Sequence, residues 1–194
     1  MSNYHKYPIV DTDIWVSLVF SKYYKRLIKK LGHLTFSDVV AREIKRWDKN
    51  QSDAKEISTK FTEMLEKQKI SIITFEEFSY YQQMSINHQL QEYNLQNVNI
   101  SERNKGEFVS LLYALHLDIK LFKTNDHKFA KALDEHTKTQ IHIMHWEEIL
   151  KEYSESFKER IYIEKLVNNK QEKMTKQKEK YQQDPRWDKL KKLL

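Results

Sequence analysis

Four acidic residues stand at or near the edges of apolar runs: Asp11 after Tyr7-Pro-Ile-Val10, Glu43 at the end of Phe36-Ser-Asp-Val-Val-Ala-Arg-Glu43, Glu107 in Asn104-Lys-Gly-Glu107, and Asp126 closing Leu121-Phe-Lys-Thr-Asn-Asp126. A strand that ends in a carboxylate delivers it to the C-terminal edge of a parallel sheet, where α/β proteins place their sites. If all four meet there, they can bind a hard divalent cation and cut a phosphodiester. Two carboxylates about 5 Å apart repel by about 3 kcal/mol at an effective dielectric of about 20, so a cluster of four needs protons or a cation. Mg²⁺ and Mn²⁺ answer that need with oxygen ligands in octahedral geometry.

Each acid also has an ordinary structural reading. One of Asp11, Thr12 or Asp13 can cap the helix that follows. Asn104 and Glu107 can form a capping box, although Gly106 in the same turn is a poor helix former that leaves room for close approach to the backbone. Asp126 can cap the helix before Phe129. Glu43 is the hardest to explain as structure, because its spacing from Val40, Ile44 and Trp47 puts it on or beside the buried stripe, with Arg46 the best-aligned partner.

The elements that must position these groups alternate between strands and amphipathic helices. Strands are expected at Tyr7–Val10, His33–Phe36, Ile70–Phe75, Ile119–Lys123 and Ile141–His145. Between them the periodicity predicts a helix from Ile14 to Lys30 closed by Gly32, a second holding Val40, Ile44 and Trp47 capped by Ser37 or Asp38, and a third over Gln51–Lys67. Further helices are expected around Phe78–Leu90, along Phe108, Leu111, Leu112 and Leu115, and at Phe129–Leu133. Such alternation implies an α/β fold with a mainly parallel sheet of about five strands, covered on both faces. From Trp146 the chain turns helical. Beyond Val167 it loses its apolar face, and a solvated helix or disorder is expected until Trp187, Leu190, Leu193 and Leu194. The expected organisation is one domain over 1–150 and a charged helical or partly disordered extension over 151–194.

Composition narrows the function classes. The 194 residues carry 34 Lys+Arg against 28 Asp+Glu, and 39% are apolar, enough for a core. Mean hydropathy is −0.81, so part of the chain is strongly polar. Residues 151–194 hold 13 basic and 8 acidic side chains, which makes the extension the source of most of the positive charge. A basic segment is the sequence-independent element of nucleic-acid binding. With no cysteine there are neither disulfides nor thiolate metal sites, and with only two glycines a phosphate-binding glycine loop is excluded. No apolar run is long enough to span a membrane and the first residues lack a signal-peptide pattern, so a cytoplasmic protein is expected. His116, His127, His136, His142 and His145 fall in different elements without a recurring zinc spacing. Tyr23-Tyr24 and Tyr80-Tyr81 can stack on unpaired bases, but aromatics at helical spacing more often belong to the core.

Taken together, the ordered acids resemble the PIN-domain nucleases. The matching features are Asp11 in Asp-Thr-Asp at the first strand's end, Glu43 in the second helix, Gly106-Glu107 heading a Leu/Ala-rich helix, and Thr124-Asn-Asp126 after the fourth strand. The likeness covers roughly residues 6–150, and its last two motifs are its most specific part. It departs from the common pattern in having Glu107 where Asp is frequent, and in the polar extension. The resemblance implies a three-layer α/β/α fold and endonuclease activity, commonly on RNA, with Mg²⁺ or Mn²⁺ held by Asp11, Glu107 and Asp126. Glu43 would position water or a second ion, while Thr12, Asp13 and Thr124 orient the ligands from behind. Lys105, His127 and Lys128 are expected to touch the nucleic acid. A cognate antitoxin and a homodimer are partners that the family brings with it. The alternatives are a non-catalytic module that binds RNA or protein, and a nuclease acting on structured DNA.

Overall fold

The computed structural model describes residues 4–47, 52–100, 102 and 105–182. Five short strands, β1 (Ile9–Val10), β2 (Leu34–Ser37), β3 (Ile70–Ile73), β4 (Leu121–Lys123) and β5 (His142–Met144), form one sheet in the order β3-β2-β1-β4-β5. Every neighbouring pair is parallel. Every residue of β1 and β2 is buried, Thr35 and Ser37 included, as a sheet covered on both faces requires.

The helices are α1 (Thr12–Phe20), α2 (Tyr24–Leu31), α3 (Asp38–Arg46), α4 (Ser52–Glu66), α5 (Tyr80–Glu92), α6 (Lys105–His116), α7 (His127–Ala132), α8 (Glu135–Gln140), α9 (Trp146–Tyr153) and α10 (Phe157–Gln182). They divide into two layers. One core joins α1, α2, α4, α9 and α10 through Trp15, Leu27, Phe61, Leu150 and Ile163. The other joins α5, α6 and α7 through Ile86, Leu112 and Phe129. This is the expected three-layer α/β/α architecture. The α3 helix lies between the layers, with Val40 in the first core and Val39 packed on the second.

Several boundaries differ from expectation for local reasons. The long helix expected over 14–30 is two, because Ser21 Oγ donates to the Leu18 carbonyl and accepts from the Tyr23 N–H while Lys22 takes φ 61°. A serine hydroxyl that bonds nearby backbone competes with helix continuation. The third strand stops at Ile73, since Thr74 opens a 3₁₀ turn with Glu77 in a capping box. Likewise Ser79 and Gln82 delay α5 to Tyr80. The α8 helix was not anticipated; it buries no residue and so shows no apolar period, its start being fixed by Asp134 accepting from the Thr137 N–H.

The C-terminal segment takes the helical form as far as Gln182. The expected boundary after residue 150 falls inside α9, and α10 buries Ile163 and Val167 in the first core. Past Val167, Lys170 sits 4.9 Å over the Phe20 ring, Gln171 Nε2 donates to Ser17 Oγ at 3.3 Å, and Met174 packs on the core. The helix is therefore packed on the first core as far as Met174. The apolar end at Trp187–Leu194 and the expected Asn104 cap lie outside the described residues. Among the described residues no helix is long and apolar enough to cross a membrane. Tyr80 and Tyr81, expected in the core, are 70% and 83% exposed.

Candidate functional site

The sheet order reverses between β1 and β4: later strands run outward from β1 on one side and from β4 on the other. The segments leaving these two strands part to opposite faces, α1 to the first core and α7 to the second, and a crevice opens between them. Asp11 leaves β1 at this crevice, only 3% exposed. Its N–H donates to the Lys123 carbonyl at 3.0 Å, tying the two strand ends together.

Side chains then stitch the two junctions. Asp11 Oδ1 accepts from the Thr12 N–H at 2.7 Å, and Oδ2 accepts from Thr124 Oγ1 at 3.3 Å. Thr124 Oγ1 accepts in turn from the Asp126 N–H at 3.2 Å. Asp13 reaches across to the same loop, its Oδ2 accepting from the Asn125 N–H at 2.7 Å. Its Oδ1 is buried without a hydrogen-bond partner. His145 Nδ1 donates to the Thr124 carbonyl at 2.7 Å and its ring stacks on His127, centroids 4.0 Å apart.

Two further helices bring the remaining acids. From α3, Glu43 Oε2 accepts from Thr12 Oγ1 at 3.0 Å. From α6, Gly106 permits a close approach: a Cβ there would stand 3.1 Å from Val40 Cγ2 and 3.7 Å from both Asp11 Oδ1 and Glu43 Oε2. Its hydrogen lets the first turn of α6 press against the carboxylates and brings Glu107 among them.

Burial and neighbouring carboxylates dominate the electrostatics of Asp11, Asp13 and Glu107. Burial holds the Asp11 carboxyl well above the usual range, with Asp13, Glu107 and Glu43 adding to the rise and the Thr12 N–H opposing it. Burial likewise pushes Asp13 up to about 7, the Asn125 and Ile14 N–H groups opposing it and Glu107 and Asp126 adding to it. Glu107 is raised by burial and by Glu43 and Asp126.

These groups open into a cleft of about 730 Å³ lined by Asp11, Asp13, Glu43 and Glu107, with Val16, Val39, Trp47 and Ile100 as apolar wall. Gln171 of α10 contributes to the lining, as do Arg42 and Arg46. The donor set is hard oxygen of one sign, and one buried oxygen lacks a partner; this fits a hard divalent cation such as Mg²⁺ or Mn²⁺. Among the described residues no three His, Cys, Asp or Glu side chains are already gathered to hold an ion.

Several assignments change. Glu43, expected on the buried side of α3, is exposed and reaches the cleft by its length and its bond to Thr12. Asp126 is not part of the lining; its Oδ1 accepts from the Lys128 and Phe129 N–H groups, both at 2.9 Å, and caps α7. Lys105, expected at nucleic acid, is fully buried because its ammonium is used elsewhere. Nζ donates to the Asn97 and Ile100 carbonyls and to Glu102 Oε2 at 2.7, 2.8 and 2.8 Å, clamping the loop that walls the cleft. His127 and Lys128 are exposed beside Asp126. The role of Asn125, through its backbone, and of His145 had no sequence signal, since each acts on a residue far along the chain or through an atom every residue has. No protein-family model matches this chain, and neither a curated protein nor a solved structure matches it.

Proposed function

We propose that this chain is a divalent-metal-dependent endonuclease that hydrolyses RNA. The observation that carries the reading is the convergence of Asp11, Asp13, Glu43 and Glu107 on one cleft at the point where the sheet order reverses. A structural role alone does not call for burying Asp11 and most of Asp13 beside further carboxylates, which is unfavourable unless a proton or a cation compensates it. Asp11 and Glu107 would hold a Mg²⁺ or Mn²⁺ ion. When bound, the ion supplies Lewis acidity toward the phosphate and lowers the pKa of a water. Glu43, exposed at the cleft, accepts a hydrogen bond from water and orients it toward the phosphorus. Thr12 and Thr124 hold the carboxylates in place through their hydroxyls. The apolar wall with Trp47 offers an unpaired base a surface to stack on.

The test is cleavage of single-stranded RNA, duplex DNA and flap DNA with Mn²⁺, with Mg²⁺ and with chelator. The expected outcome is metal-dependent cutting of RNA that Asp11→Asn abolishes while the circular dichroism spectrum is kept. Equal cutting by parent and variant would remove the site. The commitment of Asp126 to a helix cap favours a second reading, a non-catalytic RNA-binding module. That reading predicts RNA affinity without turnover, insensitive to Asp11→Asn. The cognate antitoxin and the homodimer stay with the family expectation.

A further inference from the structure

Asp13 and Asp126 exchange the parts that sequence order assigns them. Asp126 caps α7 through Oδ1 and is not among the residues that line the cleft, although it stands near enough to raise the Asp13 and Glu107 carboxyls. Asp13 lines the cleft, is anchored by Oδ2 on the Asn125 N–H, and leaves Oδ1 buried and unpartnered.

The neighbouring hydroxyls do not satisfy that oxygen. Thr12 Oγ1 donates to Glu43, Thr124 Oγ1 donates to Asp11, and Ser17 Oγ donates to the Asp13 carbonyl rather than to its carboxylate. The Ile14 N–H favours the charged Asp13 carboxyl, but Oδ1 stays buried without a hydrogen-bond partner, and among like charges a proton or a cation is what relieves it. We infer that Asp13 is a direct ligand of the divalent ion through Oδ1, beside Asp11 and Glu107, and that Asp126 is not. This rests on the metal site of the nuclease reading. In that arrangement the Asn125 N–H fixes the Asp13 carboxylate, so the loop after β4 shapes the metal site through its backbone.

The experiment titrates Mn²⁺ into the chelator-stripped full chain and follows free Mn²⁺ by electron paramagnetic resonance, for the parent, Asp13→Asn and Asp126→Asn. Asparagine keeps an oxygen for the Asn125 N–H in the first variant and for the α7 cap in the second, and circular dichroism confirms the fold of each. Asp13→Asn is expected to weaken Mn²⁺ binding by about 10-fold or more and Asp126→Asn by less than about 3-fold, since removing a ligand's charge lowers affinity most. The inference is overturned if Asp126→Asn weakens binding as much as Asp13→Asn, or if Asp13→Asn binds like the parent. In the latter case a parent that still binds Mn²⁺ and cuts RNA leaves the nuclease reading standing. A parent that binds no Mn²⁺ overturns both.

Discussion

Thr12 Oγ1 donates to Glu43 Oε2 at 3.0 Å, across 31 residues of sequence. The bond joins the first turn of α1 to α3 and turns an exposed glutamate toward Asp11. Thr12→Val removes the donor while nearly keeping the shape. Because Glu43 is solvated, the expected loss of stability is about 1 kcal/mol or less. Metal-dependent turnover is expected to fall by about 10-fold, as a carboxylate that loses its orienting partner wanders. Urea unfolding and RNA cleavage rates on the same preparation check both halves.

The raised Asp11, Asp13 and Glu107 carboxyls set a pH dependence of folding. A carboxyl whose folded pKa is raised favours the folded state below its unfolded pKa, near 4, and loses that contribution as pH climbs through the folded value. For Asp13 the window runs from the ordinary aspartate range to about 7. The metal-free chain is therefore expected to lose on the order of 2–4 kcal/mol between pH 4 and pH 8 from this cluster. Mn²⁺, which competes with those protons, is expected to raise Tm more at pH 8 than at pH 5. Thermal melts with and without the ion test this, and an equal shift at both pH values counts against a carboxylate site.

Lys105 is structural. Lys105→Met leaves two loop carbonyls and Glu102 without their ammonium, at an expected cost of about 2–4 kcal/mol. If the residue touched phosphate instead, the salt dependence of RNA binding would flatten by about one counterion. The structure predicts an unchanged salt slope, measurable by fluorescence anisotropy at a temperature where the variant is folded.

Lys123 is fully buried at the end of β4, with Nζ 2.8 Å from Met144 Sδ and 5.9 Å from the centre of the Tyr153 ring. Burial pulls its pKa down to about 8, with Glu152 and Glu148 opposing. A lysine with a depressed folded pKa destabilises the fold while it must stay charged, and that penalty fades as pH rises from about 8 past its unfolded value near 10.4. Lys123→Met is expected to stabilise by about 1–3 kcal/mol at pH 7. The gain should shrink at pH 10, as read from denaturant midpoints.

Gly106→Ala tests the close contact at the head of α6. Alanine gains up to about 1 kcal/mol in helix propensity. Its methyl would press on the fully buried Val40 at 3.1 Å and sit against Asp11 and Glu43. The expected outcome is nearly unchanged stability with weakened Mn²⁺ binding, separable by melts and by metal titration.

Much of the architecture was legible because it follows from periodicity. Short β-branched and apolar runs between amphipathic helices determine an α/β sheet, and Ser37 fixes the start of α3 through a bond to the N–H three residues on. The four acids could be picked out for the same reason: strand ends and helix starts are local events. Which acids share a cleft is not local. Asp126 serves its own helix, Asp13 is held by a backbone N–H 112 residues away, and Glu43 is solvated where its stripe suggested burial. Those outcomes depend on the β1–β4 junction and on α6 closing over it at Gly106. Sequence spacing sets where a carboxylate leaves its strand; only the packed elements set which donors remain for its oxygens.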